Sequence, residues 1–148
     1  MQRFLADFTL APIIEISSGR PFNILTGSDT NGDLQSSNDR PSVASDGTLF
    51  QPTTPFTSGS LGRNRGITHS YASFDLRVSR IIRLGERVRL NIIAEGFNLF
   101  NRFNEAAASP FFQDVRAFGQ RDGAGRYFSR STAAFDPRQF QFGLKIDF

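Results

Sequence analysis

The sequence predicts an all-β fold of antiparallel strands, and three observations carry that prediction. Four segments alternate apolar and polar residues with the period of two that gives a strand one apolar face. The connections between them run long, short, long. No apolar run approaches the ~20 residues that a membrane-spanning helix needs.

The first segment, residues 4–17, puts Phe8, Leu10, Ile14 and Ile16 on one face, opposite Asp7, Thr9 and Glu15. Pro12 lies inside it and cannot donate a ladder hydrogen bond, which predicts an irregularity there. The second, residues 71–84, sets Phe74, Leu76, Val78, Ile82 and Leu84 against Ser73, Asp75, Arg77 and Ser79. Arg80 falls on its apolar face, at a cost of ~2–4 kcal/mol at a bilayer midplane and ~0–1 near an interface. The third, residues 88–100, opposes Val88, Leu90, Ile92 and Ala94 to Arg89, Asn91 and Glu95. Phe97 and Leu99 then fall out of phase, so a β-bulge near Gly96 is expected. The last, residues 137–148, aligns Phe140, Phe142, Leu144, Ile146 and Phe148 against Gln139, Gln141, Gly143, Lys145 and Asp147.

Only Gly85, Glu86 and Arg87 join the second segment to the third, which is a hairpin turn. Residues 18–70 and 101–136 form the long connections, and loops beyond ~15 residues are uncommon in compact soluble domains. Long outer loops and short periplasmic turns are the pattern of an outer-membrane barrel. With the carboxy terminus in the periplasm, both long loops fall outside the cell. Tyr71 then reaches the outer interface and Phe148 the inner one, where aromatic girdles belong. The alternative is a soluble β-sandwich binding module displaying its loops, because a soluble antiparallel sheet alternates in the same way.

Composition narrows the classes. The 148 residues suit one domain, and they include 17 Phe but no Trp. Sixteen arginines accompany a single lysine, Lys145, yet the net charge is only +3 and the arginines are dispersed. A nucleic-acid partner is therefore not expected, since such proteins gather their basic residues in a stripe. The absence of cysteine excludes a disulfide framework and a thiolate metal site. Asp7 and Glu15 interrupt any secretory apolar region, so an export signal is expected outside these residues.

Three segments carry a family resemblance. The final strand FDPRQFQFGLKIDF resembles the closing strand of TonB-dependent outer-membrane receptors. YASFDLRVSRIIRLGERVRLNIIAEGFNLFNRFN is similar to the penultimate hairpin of the same family, most specifically in its FNLFNR ending. Upstream, SSGRPFNILTGSDTNGDLQSSNDRP resembles an outer-loop segment of the Oar-like receptors that carry a carboxypeptidase-regulatory-like domain. The likeness covers most of the chain apart from residues 41–62 and 104–134. It implies a larger barrel of which these strands are the carboxy-terminal segment, a plug, and energy-coupled substrate uptake through TonB. It also implies that the barrel-assembly machinery reads the row Phe140, Phe142, Leu144, Ile146 and Phe148 as its signal. Outer-membrane lipid, the rest of the barrel with its plug, TonB and that machinery are the partners expected.

No constellation points to catalysis or to a cofactor. His69 is the only histidine and reads as a loop residue ahead of Tyr71. GRNRG at 62–66 follows no strand and opens no helix, so it reads as a loop entering a strand, not a phosphate loop. Asp29, Asn31 and Asp33 have the alternate spacing of a calcium loop. Leu34 and Arg40, however, hold the places of its Gly and its bidentate Glu, and Asp39 falls one residue short. Asp75, Arg77, Arg89 and Glu95 share the polar face, which in a barrel lines the lumen. If the turn pairs Leu84 with Val88, Arg77 stands opposite Glu95.

Overall fold

A computed structural model describes residues 7–148. In chain order the elements begin with β1 (Phe8–Ser17), β2 (Pro21–Phe22), β3 (Ser42–Val43), β4 (Leu49–Phe50) and β5 (Gly66–Ile67). They continue with β6 (Tyr71–Leu84), β7 (Val88–Phe97), β8 (Glu105–Ala108), α1 (Phe112–Phe118), β9 (Ser131–Ala134) and β10 (Gln139–Asp147). The chain divides into two compact units, one holding β1, β6, β7 and β10, the other built from residues 18–70 and 105–134.

The first unit is a four-stranded antiparallel sheet in the order β1-β6-β7-β10. Its registers are unbroken: Leu10 faces Val78, Val78 faces Ala94, and Ala94 faces Phe142. Because each strand alternates and no register slips, the apolar positions of all four strands share one face. The turn at Gly85, whose φ of 77° suits a residue without Cβ, pairs Leu84 with Val88. Among the described residues, no strand pairs the outer edges of β1 and β10.

Two expected irregularities resolve differently. Pro12 sits in register opposite Leu76 and does not disturb the strand. The Ile81 N–H donates to the Asp7 carbonyl (3.1 Å), so the odd-numbered residues of β1 bond to β6 and the even-numbered ones point outward. Pro12 is even-numbered, and its missing N–H therefore faces the open edge, where it costs no bond to β6. The expected bulge near Gly96 is also absent at that residue, since the register is unshifted as far as Phe97, opposite Gln139. The phase is repaired at Asn98 instead. Its φ of 47° ends the strand, and the Leu99 N–H then reaches the Phe74 carbonyl (2.9 Å). Leu99 so comes to lie over Gly96, where an added Cβ would stand 2.5 Å from it.

The element ends move accordingly. β7 stops at Phe97, not at residue 100, and β10 runs from Gln139 to Asp147. β1 begins at Phe8, and residues 4–6 of the expected first strand lie outside the described residues.

The second unit replaces the two expected loops with a core of its own. β2 pairs β5, β3 pairs β4, and β8 pairs β9 with register shifts between Glu105 and Ala108. Ile24, Leu49, Leu61, Phe112, Val115 and Tyr127 are buried together. α1 supplies Phe112 and Val115, and it ends at Gly119, whose N–H returns to the Val115 carbonyl (3.0 Å) at φ 68°. The GRNRG stretch is a turn leading into β5, with Asn64 N–H bound to the Asn23 side chain (2.8 Å).

Candidate functional site

The apolar face of the sheet is the largest feature of the first unit. On its outer strands Leu10, Ile14, Phe142 and Leu144 are each about two-thirds or more exposed (66%, 68%, 80% and 66%). An apolar patch of this extent is not left to water in a soluble monomer. Arg80 lies within it opposite Phe8, half-buried, with its guanidinium 4.8 Å from the ring centroid in a cation–π contact. Phe140, Phe142, Leu144 and Ile146 continue the face along β10, and Phe148, just past the strand, is fully exposed.

The opposite face is polar and partly paired. Arg77 stands across from Glu95, with Nη1 3.3 Å from Oε1. Asp75, two residues along, accepts from the Ser73 hydroxyl (2.7 Å) and the Asn98 N–H (2.8 Å). Arg89 belongs elsewhere: it lies at the hairpin end, opposite Arg83 on one side and Asp147 on the other. Of the four polar residues singled out, the structure thus groups three and separates one.

The loop end of the sheet is organised by the turn after β7. Asn98 and Asn101 both take positive φ (47° and 50°). The Asn98 side chain donates to the Arg102 carbonyl (2.9 Å) and accepts from the Arg102 N–H (3.1 Å). The Asn101 side chain accepts from the Arg138 N–H (3.1 Å). Asn104 is buried and makes the same two-way bond to the backbone of Ala72 (3.0 and 2.9 Å). The asparagines of FNLFNRFN are thus the hydrogen-bonding groups that end one strand and register the next. Tyr71 departs from its expected girdle position. It pairs with Ser17 on the polar face and meets Phe135 edge-on at 5.1 Å. Phe74 and Phe100 instead form the aromatic pair of the apolar face, 5.4 Å apart.

In the second unit the calcium candidates are turned onto their own loop. Asp29 accepts from the Gly32 and Leu34 N–H groups (2.7 and 2.8 Å), and Asp33 from Asn38 and Gln35 (2.6 and 2.9 Å). The Asn38 amide lies first among the causes that hold the Asp33 carboxyl below its ordinary range. Among the described residues no group of three or more His, Asp or Glu side chains is placed to hold a metal ion.

Two buried carboxylates, Asp39 and Glu105, have roles that the sequence reading did not assign. Asp39 accepts from the Thr30 and Asn31 N–H groups (2.6 and 3.3 Å) and the Ser58 hydroxyl (3.2 Å). Glu105 receives the His69 N–H (2.7 Å), lies 3.1 Å from His69 Nδ1, and is bonded by the Ser131 hydroxyl. His69 also stacks on Phe128, with centroids 4.5 Å apart. These partners lie 8–36 residues apart in the chain, and no local motif announces them. Both carboxylates close a loop against amides and hydroxyls, as buried polar groups must.

A sheet with one continuous apolar face, an open edge at either side and a polar reverse is the geometry of part of a membrane barrel wall. The comparison with protein families agrees: the model of an outer membrane beta barrel domain matches residues 1–141. The chain belongs to that family, and its place is the outer membrane of a Gram-negative-type bacterium. This decides against the soluble sandwich. No curated protein and no solved structure matches the chain.

Proposed function

We propose that these strands are the carboxy-terminal segment of a TonB-dependent receptor, a barrel that takes up a substrate with energy coupled through TonB. The observation that carries the barrel part is the in-register apolar face, unpaired along β1 and β10. Open edges in lipid leave unsatisfied backbone groups, so further strands complete the wall. The energy-coupled part is supported by the FNLFNR resemblance. In this reading Asp75, Arg77, Arg89 and Glu95 face the lumen and a plug, and the second unit stands outside the cell. Phe148 and the β10 row serve the barrel-assembly machinery.

Two measurements on the full-length receptor test it. Cysteines introduced at the exposed positions Ser45 and Ala124 should react with an impermeant thiol reagent on whole cells, and one at Glu86 should not. Labelling at Glu86 alone would invert the topology. Chemical cross-linking in cells should join the receptor to TonB. A correctly oriented barrel that never cross-links would end the energy-coupled reading and leave a passive barrel.

A further inference from the structure

We propose that the second unit holds a binding site for a small organic carboxylate, with its apolar body on Leu49, Val115 and Tyr127 and its charge on Arg116 and Arg121. These five residues line one cavity of about 350 Å³, and all of them belong to the second unit. Leu49, Val115 and Tyr127 are buried members of that unit's core, so the cavity reaches down to the core. Its size falls within the range of pockets that hold small molecules on an apolar lining with a few placed polar groups.

Arg121 is set in place before any ligand arrives. Its guanidinium lies over the Tyr127 ring, 4.7 Å from the centroid, and its Nη2 donates to the Asp46 carbonyl (3.2 Å). Gly47 makes room for it, because an added Cβ there would stand 2.1 Å from both terminal nitrogens. The Tyr127 hydroxyl donates to the Gly47 carbonyl (2.9 Å), which fixes ring and glycine together. Among the described residues, Nε and Nη1 of Arg121 have no hydrogen-bond partner. Arg116 is exposed in the last turn of α1, and no described residue bonds or pairs with its side chain.

The charges favour an anion. Among the described residues, no acidic side chain lines the cavity. The Asp46 carboxylate acts on Arg121 from outside the lining, but Thr48 occupies both its oxygens through its N–H and hydroxyl (2.8 and 2.9 Å). It offsets part of one arginine's charge and leaves Arg116 uncompensated. The carbonyls at the end of α1 oppose an anion only weakly. That helix has seven residues, and the Gly119 N–H already takes the Val115 carbonyl (3.0 Å). A carboxylate can accept the paired N–H bonds that a planar guanidinium offers. The buried lining adds apolar contact that an inorganic anion cannot use, and this selects an organic acid.

The test uses the full-length receptor in nanodiscs, where both faces of the bilayer meet the solution. Phenylacetate is the probe, and phenylacetamide is its uncharged counterpart. Binding is read by ligand-observed saturation-transfer NMR, with empty nanodiscs as the blank. Phenylacetate should bind severalfold more tightly than the amide. Arg116→Gln and Arg121→Gln should each weaken it severalfold. Arg63→Gln, which removes an equal charge from an exposed turn of the same unit, should not. Because Arg116→Gln gives up no described side-chain contact, that variant reads binding apart from folding. Absence of phenylacetate binding to the wild-type receptor would overturn the proposal. So would equal binding of the amide, or binding that survives both substitutions together. Displacement of the probe by an equal concentration of inorganic phosphate would overturn it as well, since the apolar lining would then contribute nothing. The readout depends neither on which side of the membrane the unit faces nor on coupling to TonB. Its failure is thus distinct from failure of the uptake reading.

Discussion

Arg77 and Glu95 face each other across β6 and β7 with 3.3 Å between Nη1 and Oε1, a pairing set by the three-residue turn at the hairpin end. The Arg77 side chain is half exposed (51%), so solvent screens the pair. A double-mutant cycle with Arg77→Ala and Glu95→Ala, measured by urea unfolding of the full-length barrel, should give a coupling of about 0.2–1 kcal/mol. A coupling well above that range would mean that the polar face is dry in the assembled receptor.

Asn98 should be the more sensitive position. It is buried, holds positive φ, and its side chain bonds the backbone of Arg102 and the Asp136 carbonyl. Asn98→Ala removes those bonds and strains the backbone, for a loss of roughly 1–3 kcal/mol. Asn98→Gly should cost less, because glycine adopts this φ freely. If the two variants unfold at the same urea concentration, backbone strain is not part of the residue's role.

Acid should loosen the second unit, and neutral pH should not. The Ser109 hydroxyl holds the Asp114 carboxyl below its ordinary pKa of 3.8, and the Arg126 backbone N–H is the largest of several groups doing the same for Asp122. Each lowered pKa means that the unfolded state binds more protons in the window between the folded and ordinary values. The stabilisation is complete well above pH 3.8 and is lost as the pH falls through the lowered values. Amide exchange at residues 105–134 should therefore accelerate, relative to its intrinsic rate, only at the acid end of a series from pH 7 to 3. Asp122→Asn should flatten part of that dependence. A protection profile unchanged down to pH 3 would remove these carboxylates from the account.

Deleting Phe148 should separate assembly from stability. The ring is fully exposed and lies beyond the last paired residue, Asp147, so the closed barrel gains little from it. Receptor assembled in the outer membrane should fall severalfold, while the fraction that does assemble keeps its heat resistance. Phe140→Ala should do the reverse, since its ring packs against Gly96 and the Arg138 guanidinium. Normal assembly without Phe148 would leave that residue an ordinary interfacial aromatic.

The sequence by itself determined the apolar face of the sheet. Side-chain direction in a strand follows from a period of two, so Leu10, Val78, Ala94 and Phe142 could each be assigned a side from their immediate neighbours. The Gly85–Arg87 turn is equally local, and with it came the facing of Arg77 and Glu95. Tertiary structure decided what depends on distant partners or on one backbone angle. The residues between the strands read as loops because a core assembled from Ile24, Leu49, Leu61, Val115 and Tyr127 has no period to detect. His69 looked isolated because Glu105, its partner, lies 36 residues away. Leu99 looked out of phase with its strand because the correction is a single left-handed residue, Asn98, which alternation cannot register, whereas Phe97, ahead of that residue, stays on the polar face opposite Gln139.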